Sequence, residues 1–130
     1  MKNRFMRAGL WLVSLLVLFV VIGLSLIPQP PTPVVSDKLA HAAAYAVLVQ
    51  SVLLAGVWAP RLGEGRWANS HVLIVGCAIC LGAVIEIVQG AYFARTPDGL
   101  DAVANAVGAA SGAAAWYGLR RASARAILKG

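Results

Sequence analysis

Asp37, His41 and Tyr45 stand four residues apart, so on a helix they share one face. Further along, Glu86 and Gln89 are three apart and Asp101 and Asn105 are four apart, and each pair again shares a helical face. Lys38 and Arg95 add two cations beside these groups. The residue types suit proton exchange and headgroup recognition. Imidazole exchanges protons near neutral pH, and a carboxylate serves as acid or base. Guanidinium and ammonium bind phosphate, while amides and phenols bond hydroxyls and amines.

The elements that must position these groups are apolar. Of 130 residues, 60% are hydrophobic and 12% charged, with a mean hydropathy of +0.78. A soluble domain carries about 25% charged residues, so the chain reads as a single integral membrane domain over 1–130. A net charge of +6 would suggest nucleic acid for a soluble chain. In a membrane protein the basic residues instead record the cytoplasmic side, and no nucleic-acid partner is expected.

Four apolar segments, at about 9–27, 38–59, 71–93 and 101–119, each approach the roughly 20 residues that cross the hydrocarbon layer. The last is mostly Ala and Gly and needs its neighbours. Between the first two, "IPQPPTPVVSD" (27–37) holds four prolines, which deny donors to a helix, and Ser36 or Asp37 is placed to cap the next one. Stretches 60–70 and 94–100 are polar and turn-rich. The first apolar run is longer than the core of a signal peptide and no small-x-small cleavage site follows it, so it is expected to be retained. The expected fold is all-α, a four-helix transmembrane bundle with N- and C-termini cytoplasmic. That orientation puts Lys2, Arg4, Arg7, Arg61, Arg66, Arg120, Arg121, Arg125 and Lys129 inside, nine of eleven basic residues. Trp11, Trp58, Trp67 and Trp116 then all fall near the inner interface.

The outer half collects the polar chemistry. His41 sits one turn below the outer surface, and Tyr45 and Glu86 lie near one common depth at about 1.5 Å per residue. Each helix points its polar groups one way, as expected for groups facing a bundle interior. A charge at the hydrocarbon centre costs at least roughly 2.5 kcal/mol, so Glu86 is a functional candidate by default.

Taken together, "DKLAHAAAY" (37–45), "EIVQ" (86–89) and "RTPDGLDAVANAVGAASG" (95–112) resemble the VanZ-like family. Its pattern runs D-K-x-x-H, a later E-x-x-Q, then R, D-x-x-x-N and glycines at helical spacing. The match extends from Asp37 to Gly112, with one departure: an aromatic often follows the histidine, and here Ala42 does. The resemblance implies a small multi-pass protein of the bacterial inner membrane. The founding member is associated with antibiotic resistance to the glycopeptide teicoplanin, and the family's biochemical activity is poorly defined.

Three functions remain open at this level. In the leading one, an outer-leaflet pocket binds a membrane lipid or lipid-linked cell-wall precursor. Arg95 and Lys38 would take its phosphate, and Asp37, Tyr45, Glu86, Gln89, Asp101 and Asn105 its sugar or amine groups. In the second, His41 works with Glu86 or Asp101 as acid and base on such a lipid, although no activated nucleophile is recognisable. In the third, the charges form a structural or transport network. Each residue also has a purely structural role to weigh. Asp37 and Asp101 can cap helices, Lys38 can snorkel to headgroups, and Tyr45 can pack. Gln89 and Asn105 can bridge helices, Glu86 can pair with Arg95 or Lys38, and Asp98 suits a turn. Gly108 and Gly112 form a G-x-x-x-G packing face, against a helix of this chain or of a second copy in a homo-oligomer. Cys77 and Cys80 are expected to pack as apolar residues. Asp37, His41, Glu86 and Asp101 are of metal-ligating type but lack diagnostic spacing, so neither metal nor other cofactor is expected.

Overall fold

The computed structural model of the chain describes residues 2–27, 34–57, 64–93 and 98–127. They form four helices, α1 (Lys2–Leu26), α2 (Val34–Val57), α3 (Glu64–Tyr92) and α4 (Gly99–Ile127), with no strand among the described residues. Three stretches, Ala8–Leu26, Ser36–Gly56 and His71–Tyr92, are long and apolar enough to cross a membrane. In lipid a backbone must satisfy its own polar groups, and an unbroken helix does so. At 29 residues α4 is as long as α3, but its many Ala and Gly residues keep it out of that set. Length and composition therefore establish three candidate spans, not four.

Helix ends depart from the apolar segments. α1 and α3 begin about two turns earlier than expected, and α4 ends about two turns later. Hydropathy marks only the lipid-crossing part, whereas Ala and Arg in "RRASARAI" keep the helix going beyond it. α2 begins at Val34, so neither Ser36 nor Asp37 is its cap; Asp37 lies in the first turn, where the helix dipole favours a carboxylate. Nor is Asp101 the cap of α4. That position belongs to Asp98, whose Oδ1 accepts the Leu100 N–H at 2.9 Å while its carbonyl accepts the Asp101 N–H at 2.9 Å.

The closest packing is between α2 and α4. A Cβ on Gly108 would stand 2.7 Å from Ala42 Cα, and one on Gly112 3.0 Å from Ala46 Cα. The glycine face thus meets a helix of the same chain, with only alanine opposite, and the backbones approach closely. Contacts Lys38–Asp101, His41–Asn105, Ala42–Gly108 and Ala46–Gly112 advance together, so the two helices run parallel. Gly82 beside Asn105 and Glu86 beside Asp98 place α3 antiparallel to α4.

The core holds Val21, Tyr45, Val49, Leu53, Ala78 and Ala109. Around it the usual distribution is reversed. Phe19, Val72, Leu73, Ile87 and Leu119 are exposed, while Ser14, His71, Glu86, Gln89, Asp101 and Asn105 are buried. Water would penalise such a surface, and lipid favours it. Cys77 and Cys80 lie on this outer face and do not pack in the interior. On α1, Ser14 and Ser25 donate to the Leu10 and Val21 carbonyls at 3.0 and 2.7 Å, which satisfies both hydroxyls without a partner helix.

Candidate functional site

The polar groups meet where α2 and α4 begin and α3 ends. Lys38 lies in the first two turns of α2, and its Nζ donates to Asp98 Oδ2 at 2.5 Å and to Asp101 Oδ1, with Asp37 Oδ2 at 3.5 Å. Its side chain is 20% exposed and that of Asp101 only 1%, so the pair is held largely out of water. One turn further along α2, His41 Nδ1 stands 3.1 Å from Asn105 Oδ1. An amide oxygen only accepts, which puts a proton on Nδ1 and leaves Nε2 directed elsewhere.

Nε2 faces two carboxylates, Asp101 Oδ2 at 3.8 Å and Asp37 Oδ1 at 3.9 Å. Both distances exceed hydrogen-bond length. Asp37 and Asp101 therefore each turn one oxygen to Lys38 and the other to His41. Because the parallel α2–α4 contact brings the two helix starts level, side chains 64 residues apart share one point.

Glu86 joins the cluster from α3, its Oε2 accepting the Asp98 N–H at 3.2 Å. The Tyr45 hydroxyl lies one turn deeper beside Asn105, over Gly82, where a Cβ would stand 3.3 Å from it. It has no hydrogen-bond partner among the described residues. Gln89 is turned to α1, where Nε2 donates to the Ser25 carbonyl. Arg95 lies outside the described residues. Asp37, Lys38, His41, Asp101 and Asn105 are thus joined in one chain of contacts, Glu86 is linked through Asp98, and Gly108 and Gly112 set the spacing. His71 is remote from them and packs at a tilt against Tyr117, with ring centroids 4.8 Å apart and planes 36° apart.

Two features were missed from the sequence. Asp98 reads there as a turn residue, although its three-residue step to Asp101 and seven-residue step to Asn105 continue the polar face of α4. The second is a cavity of about 460 Å³ between α1 and α2. Leu16, Val17, Val20, Val21 and Leu24 form one wall, Ala40, Ala43, Ala44 and Val47 the other, and Asp37, His41 and Ser25 supply its polar atoms at one end. The α1 residues share one side of that helix, but so do others, and nothing in their types marks a cavity.

No protein-family model matches the chain, and neither a curated protein nor a solved structure is significantly similar to it.

Proposed function

We propose that this chain is a VanZ-like protein of the bacterial plasma membrane, crossing it four times with both termini cytoplasmic, and that it binds a lipid or lipid-linked glycan. The hydrocarbon chain lies between α1 and α2, and the headgroup reaches Asp37 and His41 at the outer surface. One observation carries this reading: the cavity has apolar walls along its length and its carboxylate and imidazole at one end. Lipids have that same division, and the volume falls within the roughly 300–1,000 Å³ of small-molecule sites. The motif order from Asp37 to Gly112 supports the family, and the distribution of basic residues supports the orientation.

Headgroup roles differ from a simple cationic pocket. Lys38 already donates to Asp98 and Asp101, so in this reading a phosphate falls to Arg95 or to another cation. Asp37 and its neighbours accept from amine or hydroxyl groups.

Native mass spectrometry with lipidomics on wild type, Ala43→Phe and Glu86→Gln tests this. Ala43 is exposed and lines the cavity, so a phenyl ring there fills the groove without entering the core. Wild type should retain one phosphate-bearing lipid, and Ala43→Phe should lose it at least tenfold at an unchanged melting temperature. Glu86→Gln should remain folded and retain less. Equal amounts of bulk lipid in all three proteins would sink the reading.

A further inference from the structure

We propose that Asp37, His41 and Asp101 hold a divalent transition-metal ion, Mn²⁺ or Zn²⁺. One ligand atom from each of the three lies within 4.8 Å of the others. A point within about 2.8 Å of all three such atoms therefore exists, a small side-chain movement from the roughly 2.0–2.2 Å of nitrogen and carboxylate ligands.

The imidazole supplies the independent observation. His41 is only 10% exposed, and among the described residues its Nε2 has no partner at hydrogen-bond distance although it is aimed between two carboxylate oxygens. A hydrogen bond from the ring to either would have a length of about 2.9 Å. The actual separations, 3.8 and 3.9 Å, are nearer to those of two ligands across an ion, about 3.4 Å for a tetrahedral site with 2.1 Å bonds. Asn105 Oδ1 completes the arrangement: it holds the Nδ1 proton, which fixes the ring and leaves the Nε2 lone pair for a metal. Lys38 does not occupy the position, because it engages Asp37 Oδ2 and Asp101 Oδ1, the oxygens facing away from His41.

One imidazole and two carboxylates suit Mn²⁺ or Zn²⁺ better than a soft ion, which prefers thiolates. Three protein ligands leave coordination positions open, and Asp37 and His41 line the α1–α2 cavity. A phosphate oxygen of the ligand would bind there, a role that rests on the lipid reading above, whereas the ion itself does not.

The test uses the whole chain in detergent, stripped with a chelator and titrated with Mn²⁺ by electron paramagnetic resonance and with Zn²⁺ by calorimetry. Wild type should bind one ion per chain, and Asp37→Asn and His41→Gln should each weaken binding at least tenfold. Cys77→Ser/Cys80→Ser, which removes the exposed thiols, should bind as wild type does. Pulsed resonance of the Mn²⁺-loaded wild type should show one imidazole nitrogen, unchanged in His71→Ala, a readout that needs no variant at the site to fold. Absence of saturable binding, absence of nitrogen coupling, or full affinity in His41→Gln overturns the proposal. Native mass spectra of the same samples separate the two readings. An ion bound without retained lipid removes the lipid reading alone, and retained lipid with no ion bound overturns the metal site alone.

Discussion

Gly108→Ala is a demanding perturbation because it adds one methyl group where two backbones touch. Its Cβ would stand 2.7 Å from Ala42 Cα. Non-bonded carbons rest about 3.5–4.0 Å apart, so α2 and α4 must part by about 1 Å at this level. One turn away, the 3.1 Å contact between His41 and Asn105 would stretch to about 4 Å and cease to be a hydrogen bond. Alanine returns about 1 kcal/mol of helix propensity. Overpacking costs about 1–3 kcal/mol, and the lost hydrogen bond about 1 kcal/mol more.

The net loss is about 1–3 kcal/mol, which lowers the melting temperature by roughly 3–4 °C for each kcal/mol in a chain of this size. Gly76→Ala is the matched control, since a Cβ there meets nothing within 4 Å and should leave stability unchanged or raise it by up to about 1 kcal/mol. Thermal unfolding by circular dichroism, both variants in one detergent, measures the difference. If Gly108→Ala proves as stable as Gly76→Ala, the close parallel packing of α2 on α4 is refuted, and with it the geometry that brings Asp37 to Asp101.

Three other outcomes follow from named contacts. Lys38→Met takes the ammonium away from Asp98 and the buried Asp101 and should cost about 3–5 kcal/mol, seen as lost yield and a lower melting temperature; adding Asp101→Asn should recover much of it, and a single variant near wild type would contradict the pairing. Tyr45→Phe should leave stability unchanged or raise it by about 1 kcal/mol, because it removes a buried hydroxyl that has no partner among the described residues; a loss above about 1 kcal/mol in thermal unfolding would show that the hydroxyl is bonded. Gln89→Leu removes the bond to the Ser25 carbonyl that ties α3 to α1 and should cost roughly 0.6–1.7 kcal/mol, with faster hydrogen exchange at the end of α1; unchanged exchange there would mean that packing alone holds α1.

The sequence by itself determined that the chain is helical and apolar enough for lipid, because runs of about 20 residues rich in Leu, Val and Ala lack the apolar–polar alternation of a barrel strand and leave a helix to satisfy the backbone. It also determined which groups share a helix face, since residues 37, 41 and 45 can only project together at 3.6 residues per turn. Helix ends were not legible, because hydropathy fades where the chain leaves lipid while the hydrogen bonding of the helix continues. The reading of α4 as a span was weak for the same reason, its small residues serving contact more than hydrophobicity.

Tertiary structure alone decided what each face meets. Spacing fixes the angle of a side chain about its own helix, but not which neighbour lies at that angle. Here the absence of side chains beyond Ala at residues 42, 46, 108 and 112 lets α2 and α4 approach in parallel and in one register. Close approach in that register sets His41 against Asn105, divides the oxygens of Asp37 and Asp101 between Lys38 and His41, and brings Asp98 into the cluster. Packing of α1 on the other side of α2 made the cavity, a property of the gap between two helices and so of neither sequence segment alone.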